Sequence, residues 1–302
     1  MTEKINNRIT CCYLYSITRY GYPPPADGTL KYLEEMAALG FKSVELEGIR
    51  DKHLLEMFDL RFDNKAKLKE LDLNIPYFCA VLPGMASSDK NIRDKNLELF
   101  EKGCEVAHLL GAKGILDNAP IPPYQFPDNI PVVRHYDEDV LMAASIPKDL
   151  SWNRYWDELI NTFNTACQIA AGKDLTFQMH PALGVLLANT DSFLYFFDAV
   201  GCNNLRFNLD TANQYAMKEN LVLALLKLKD HLDYIHISDN GGNRVEHLVP
   251  EKGNINWNSF FEALDRINFK GYFGLDIGGD ESEIGDLDSA YLNAADWLQQ
   301  RL

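Results

Sequence analysis

The chain has 302 residues, 46% of them hydrophobic and 24% charged, enough apolar material for one large core. Its formal net charge of −15 would repel a phosphate backbone, which argues against nucleic acid as a partner. The opening MTEKINNRIT lacks the apolar core of a signal peptide, and no later run approaches the roughly 20 apolar residues that span a bilayer; the expectation is a cytoplasmic protein with no membrane partner. Six cysteines, at 11, 12, 79, 104, 167 and 202, form no CxxC pair and read as reduced core residues. Cys11 and Cys12 are adjacent in a strand-like run, so at most one faces the interior.

In chain order, a strand is expected at ITCCYLYSI (9–17). A helix follows at LKYLEEMAALG, with Leu30, Leu33, Met36 and Ala37 on one face and a stop at Gly40; FKSVELEG is the second strand. NIPYFCAVLP (74–83) is the third strand, NLELFEKGCEVAHLLG (96–111) a helix, and AKGILDNA (112–119) the fourth strand. After a helix over about 153–171 come LTFQMHP (175–181), LRFNLD (205–210), DYIHISD (233–239) and YFGLDIGG (272–279). Eight strands alternating with helices predict a single-domain (β/α)8 barrel over 1–302, whose strand ends share one mouth. An open doubly wound sheet would need a glycine-rich phosphate loop after the first strand, and SITRYGYPPP is not one.

The proline-rich stretch 119–150 is long for a barrel loop and follows the fourth strand, so it is expected over the mouth, with Tyr124, Arg134, His135 and Tyr136 within reach of a substrate; a structural or subunit-contact role is the alternative. Side chains alternate along strands, so Gln178 shares a face with His180, Asn208 with Asp210, His236 with Ser238 and Gly274 with Asp276. Gln178, Asp210, His236 and Asp276 follow at intervals of about one strand–helix unit. A sheet face does not bury so many polar groups without partners or a ligand. A divalent ion, Mg2+, Mn2+ or Zn2+, suits oxygen and imidazole donors; a hydrogen-bonded polar plug without metal is the alternative.

The runs GFKSVELEG (40–48), FQMHP (177–181), LDTAN (209–213), HISDN (236–240), HLVPEKGNINW (247–257) and GYFGLDI (271–277) resemble the sugar-phosphate isomerase/epimerase, or xylose-isomerase-like, barrel superfamily over essentially the whole chain. The resemblance implies one divalent metal, often Mn2+, held by a Glu, an Asp, a His and a Glu from the fifth to eighth strands, and often a dimer or tetramer. Asp210 and His236 match; Gln178 and Asp276 stand where the two Glu residues would. A carboxamide moves no proton, so an epimerisation through two carboxylates is disfavoured here. The remaining acid/base candidates are His180, Asp276 and Glu251, with His180 favoured because Pro181 ends its strand at the rim. By the resemblance, the loop carrying His247 and Glu251 borders the substrate, and Asn213, the counterpart of a frequent family His, is expected to contact it. Arg244 is a candidate hydroxyl or anion donor, and of Glu45 and Glu47, which share a face of the second strand, Glu47 is nearer the mouth and the candidate substrate contact.

The leading expectation is a metal-dependent isomerase or epimerase acting on a monosaccharide or keto-sugar through an enediolate. A lyase or hydrolase releasing the aglycone of a keto-glycoside, and a catalytically silent sugar-binding barrel, are the alternatives. An abasic-site endonuclease is set aside on the net charge of −15.

Overall fold

Runs such as YFCAV and YIHI are buried along their whole length, as expected of parallel strands covered by side chains within and helices without. In the computed structural model, which describes residues 5–127 and 136–302, the strands are β1 (Ile9–Cys11), β2 (Ser43–Val44 with Leu46–Ile49), β3 (Tyr77–Val81), β4 (Gly114–Asn118), β5 (Thr176–His180), β6 (Leu205–Phe207 with Leu209–Asp210), β7 (Tyr234–Ile237) and β8 (Tyr272–Leu275). All pairings are parallel. The neighbour order runs β2-β1-β8-β7-β6 in one sheet and β2-β3-β4-β5-β6 in the other, so β2 and β6 belong to both and join them into a (β/α)8 barrel. Their single-residue breaks fall at Glu45 and Asn208, whose N–H groups still donate to Cys11 O (2.9 Å) and Met179 O (3.0 Å).

The outer helices bury the stripe that a 3.6-residue period dictates. In Trp152–Ala171 the buried set includes Tyr155, Leu159, Phe163, Ala166, Cys167 and Ala170. Phe163 lies parallel to Phe177 of β5 at 6.1 Å and edge-on to Phe196; truncating such an aromatic to Ala costs about 3–5 kcal/mol. Helix starts are set by side-chain caps at Asp89, Asn189, Asn220, Asn256 and Asp286. Inside the barrel, Gly274 is required by space: a Cβ there would meet the Tyr234 hydroxyl at 2.4 Å and Cys12 Sγ at 2.5 Å.

The expected first strand, 9–17, is corrected. It ends at Cys11 and a helix takes over at Leu14–Tyr20, because a short, wholly buried apolar run carries no period that separates strand from helix. Cys12 points inward against Tyr77, Cys79, Leu116 and Tyr234, while Cys11 packs in the outer core. Burial pushes the Cys11, Cys12 and Cys79 thiols well up, which leaves them as inert packing groups. The long segment after β4 is folded back by an antiparallel pairing of Gln125 with Ser145 (2.8 and 3.0 Å) and carries a helix at Glu138–Ala143. Arg134 and His135 lie outside the described residues. No helix among the described residues is long and apolar enough to cross a membrane.

Candidate active site

Asp210 ends β6 and caps the helix Thr211–Ala216: its Oδ1 accepts the Asn213 N–H at 2.7 Å, which leaves Oδ2 turned into the mouth. On β7, His236 Nε2 lies 3.3 Å from Glu45 Oε2, an oxygen that also accepts the Tyr234 hydroxyl at 2.9 Å. Nδ1 of the same ring therefore faces the interior, 3.9 Å from Asp210 Oδ2 and 3.8 Å from Asp276 Oδ2. Asp276 sits just past β8, and His247, from the loop after β7, brings its Nε2 to 3.8 Å from Asp210 Oδ2 and 3.7 Å from Asp276 Oδ2.

His180, ending β5, places Nε2 3.9 Å from Asp210 Oδ2. Its tautomer follows from the network. Asn208 Nδ2 donates to the Tyr234 carbonyl (3.2 Å), so Asn208 Oδ1 accepts from His180 Nδ1 (2.7 Å), leaving the lone pair on Nε2, where Asn213 Nδ2 approaches at 3.4 Å.

These separations exceed hydrogen-bond length. They lie close to the ~3.3–3.6 Å expected between ligand atoms that each sit about 2.0–2.1 Å from a shared ion. Asp210 Oδ2 and His236 Nδ1 are buried without a hydrogen-bond partner among the described residues, and a buried carboxylate oxygen left this way is costly unless a cation or proton meets it. His180, Asp210 and His236, and likewise Asp210, His247 and Asp276, each present ligand atoms within 4.8 Å of one another. The donor set therefore fits a divalent metal. Burial works against a charged His236 ring, but the carboxylates of Glu45, Asp276 and Asp210 outweigh it and push its pKa up to about 9. Burial dominates at His180 and lowers its pKa, which favours the neutral ring.

Beside the cluster lies a cavity of about 860 Å3 lined by Tyr22, Tyr136, Leu183, Arg244 and Glu281 among others. Arg244 stands at its rim, mostly exposed, with Nε on Glu246 at 2.9 Å. Glu47 is partly exposed on β2, close to Glu45 and Cys79. Asn213 is buried and holds His180 and the Pro181 carbonyl (3.1 Å), so it positions the imidazole.

Two expected site residues are placed elsewhere. Gln178 faces the strand starts: its amide donates to Thr176 Oγ1 at 3.0 Å and approaches Asp233 Oδ2 at 3.4 Å, so the β5 residue in the cluster is His180. Glu251 turns outward at φ 70°, a left-handed backbone that favours glycine, and its carboxylate accepts from Trp297 Nε1 (2.8 Å) and Arg301 (3.0 Å) on the last helix. The residue that sequence reasoning underrated is Glu45. Alternation put it on the same face as Glu47, yet only the barrel's stagger reveals that it meets His236.

A family model described as xylose isomerase-like TIM barrel matches residues 33–301. A D-psicose 3-epimerase from Enterocloster bolteae is 23% identical over 250 residues, 80% of this chain and 74% of that protein. Among solved structures, a D-allulose 3-epimerase from Methylomonas sp. aligns over 99% of this chain and 100% of its own with a TM-score of 0.75 at 18% identity. A 3-keto-D-glucoside 4-epimerase from E. coli aligns over 98% and 100% with a TM-score of 0.71, also at 18%.

Proposed function

Because the chain belongs to the xylose isomerase-like TIM barrel family, we propose that it is a metal-dependent isomerase or epimerase of a monosaccharide or keto-sugar. The observation that carries this reading is the buried Asp210 Oδ2, without a hydrogen-bond partner among the described residues, with His180, His236 and His247 nitrogens at 3.8–3.9 Å. Asp210, His236 and Asp276 would hold the ion. A divalent ion held there would supply Lewis acidity to a substrate carbonyl and its neighbouring hydroxyl, which would make the adjacent C–H proton easier to remove.

In an isomerisation His180 takes that proton through Nε2 and returns it to the neighbouring carbon on the same face; an epimerisation would also need a proton donor on the opposite face. Asn208 fixes the tautomer that leaves the lone pair there, and burial keeps the ring neutral before it accepts. Glu47 and Arg244 bind sugar hydroxyls from the rim. The curated relative's substrate, a keto-sugar by its name, supports this class.

A second reading, elimination of an aglycone from a keto-glycoside, draws on the cavity of about 860 Å3, which has room for more than a single sugar.

The test incubates metal-loaded protein with ketohexoses and with a 3-keto-glucoside in D2O. Deuterium entering at the carbon beside the carbonyl, with no second product, supports isomerisation or epimerisation. Release of a second molecule establishes elimination. No exchange and no release with any of them would leave a sugar-binding barrel and overturn the proposal.

A further inference from the structure

The loop between β7 and the helix Trp257–Arg266 is built as a rigid arm. The Asp239 carboxylate accepts the N–H groups of Asn240 (2.8 Å), Glu251 (2.8 Å) and Ile255 (3.2 Å) and the Trp257 indole (2.9 Å). Asp239 and Leu248 exchange both backbone hydrogen bonds, at 2.8 and 2.9 Å. At the tip, the His247 N–H donates to Ser282 Oγ (2.8 Å) and its carbonyl accepts from the Gly278 N–H (3.1 Å). The ring is fully buried, and its Nδ1 lies 3.1 Å from Glu281 Oε1. A carboxylate on one imidazole nitrogen is the usual device for aiming the other at a metal. His247 Nε2 is aimed between Asp210 and Asp276, at distances too long for hydrogen bonds to those oxygens.

The four atoms Asp210 Oδ2, His236 Nδ1, Asp276 Oδ2 and His247 Nε2 form a ring of alternating oxygen and nitrogen with edges of 3.7–3.9 Å. Each imidazole has its own outer carboxylate, Glu45 for His236 and Glu281 for His247. This symmetry of construction sets His247 apart from a substrate contact at the rim. We propose that His247 is a metal ligand of this site, and that the resulting set of two imidazoles and two carboxylates selects a borderline ion such as Zn2+ over Mg2+. The proposal rests on the metal-dependent reading above. Mg2+ prefers an all-oxygen shell and keeps its waters, whereas imidazole nitrogen suits Zn2+.

The experiment titrates chelator-treated protein with Zn2+ and, separately, with Mg2+ by calorimetry, for the wild type and the variants His247→Ala, Glu281→Gln and Asp210→Ala. The expected result is one Zn2+ bound at least about 100-fold more tightly than Mg2+, weakened about tenfold or more in His247→Ala and about tenfold in Glu281→Gln. His247→Ala binding Zn2+ like the wild type, while Asp210→Ala does not, would overturn the ligand role and leave the metal reading intact. A wild type that binds neither ion would sink both. A wild type that prefers Mg2+ would overturn the selectivity. Should His247→Ala fail to fold, the Co2+-loaded wild type decides: strong visible absorption supports a low-coordinate nitrogen-containing site, and the weak absorption of a six-coordinate, oxygen-ligated ion contradicts it.

Discussion

At the strand starts, Gln178 donates to Thr176 and approaches Asp233, Arg206 pairs with Asp233 at 3.2 Å, and Tyr77 stacks on Tyr234 at 4.4 Å. At the strand ends of the same barrel, two carboxylates and three imidazoles face one another at 3.7–3.9 Å, beyond hydrogen-bond reach. Among the described residues each end keeps an orphan atom, Gln178 Oε1 at the starts and Asp210 Oδ2 with His236 Nδ1 at the ends, but only at the ends do several carboxylate and imidazole atoms converge on one point. Convergence of donors of metal-ligand type, rather than a single orphan, is what suits an ion, so polar residues on inward strand faces are read correctly only with their depth in the barrel.

The largest expected effect comes from emptying the mouth. Asp210→Ala should lower kcat/KM for the sugar turned over by at least about 100-fold, since loss of a Lewis acid removes several kcal/mol of transition-state stabilisation, while urea unfolding of the metal-free protein should show a loss of only about 0.5–2 kcal/mol, from the helix cap that Asp210 also makes. Unchanged turnover would break the distinction between the two ends.

A buried imidazole at the end of β2, outside the cluster, offers a second check. His53 accepts the Ile49 N–H on Nδ1 at 3.0 Å, and burial lowers its pKa to about 4. The unfolded chain, with His near 6.5, binds the proton more readily, so this contribution is fully present above about pH 6.5 and is lost as the pH falls through 4. It amounts to on the order of 2–3 kcal/mol. Urea unfolding at pH 7, 5 and 4 should show this loss in the wild type and a smaller one in His53→Asn.

Gln178→Glu sharpens the comparison directly. A carboxylate placed there meets Asp233, so stability should fall by about 1–3 kcal/mol with no gain in metal affinity. A rise in Zn2+ or Mn2+ affinity would instead return residue 178 to the mouth. The smallest effect is expected at Glu251, whose exposed contacts with Trp297 and Arg301 are worth less than about 1 kcal/mol; Glu251→Gln should keep turnover within about twofold and the melting temperature nearly unchanged.

The barrel was legible because each strand is a short buried run between turn residues, and the site's end was legible because Asp210, His236 and Asp276 recur at strand ends. Depth was not. Interval counting aligned Gln178 with Asp210, but the register pairs Gln178 with Arg206 and pairs Asp210 with His236, so stagger drops Gln178 below the cluster. Glu45 stayed ambiguous for the same reason. The outward turn of Glu251 depends on a left-handed backbone that its residue type does not signal, and the helix after β1 replaced an expected strand because its apolar run fits either period.

The central claim is that the mouth is a metal site, and the most direct test is elemental analysis of protein purified without chelator and reloaded with Zn2+ or Mn2+, beside Asp210→Ala and His236→Ala. The account predicts near-stoichiometric metal in the wild type and its loss from both variants. A wild type that takes up no metal, or variants that keep it, would contradict the account.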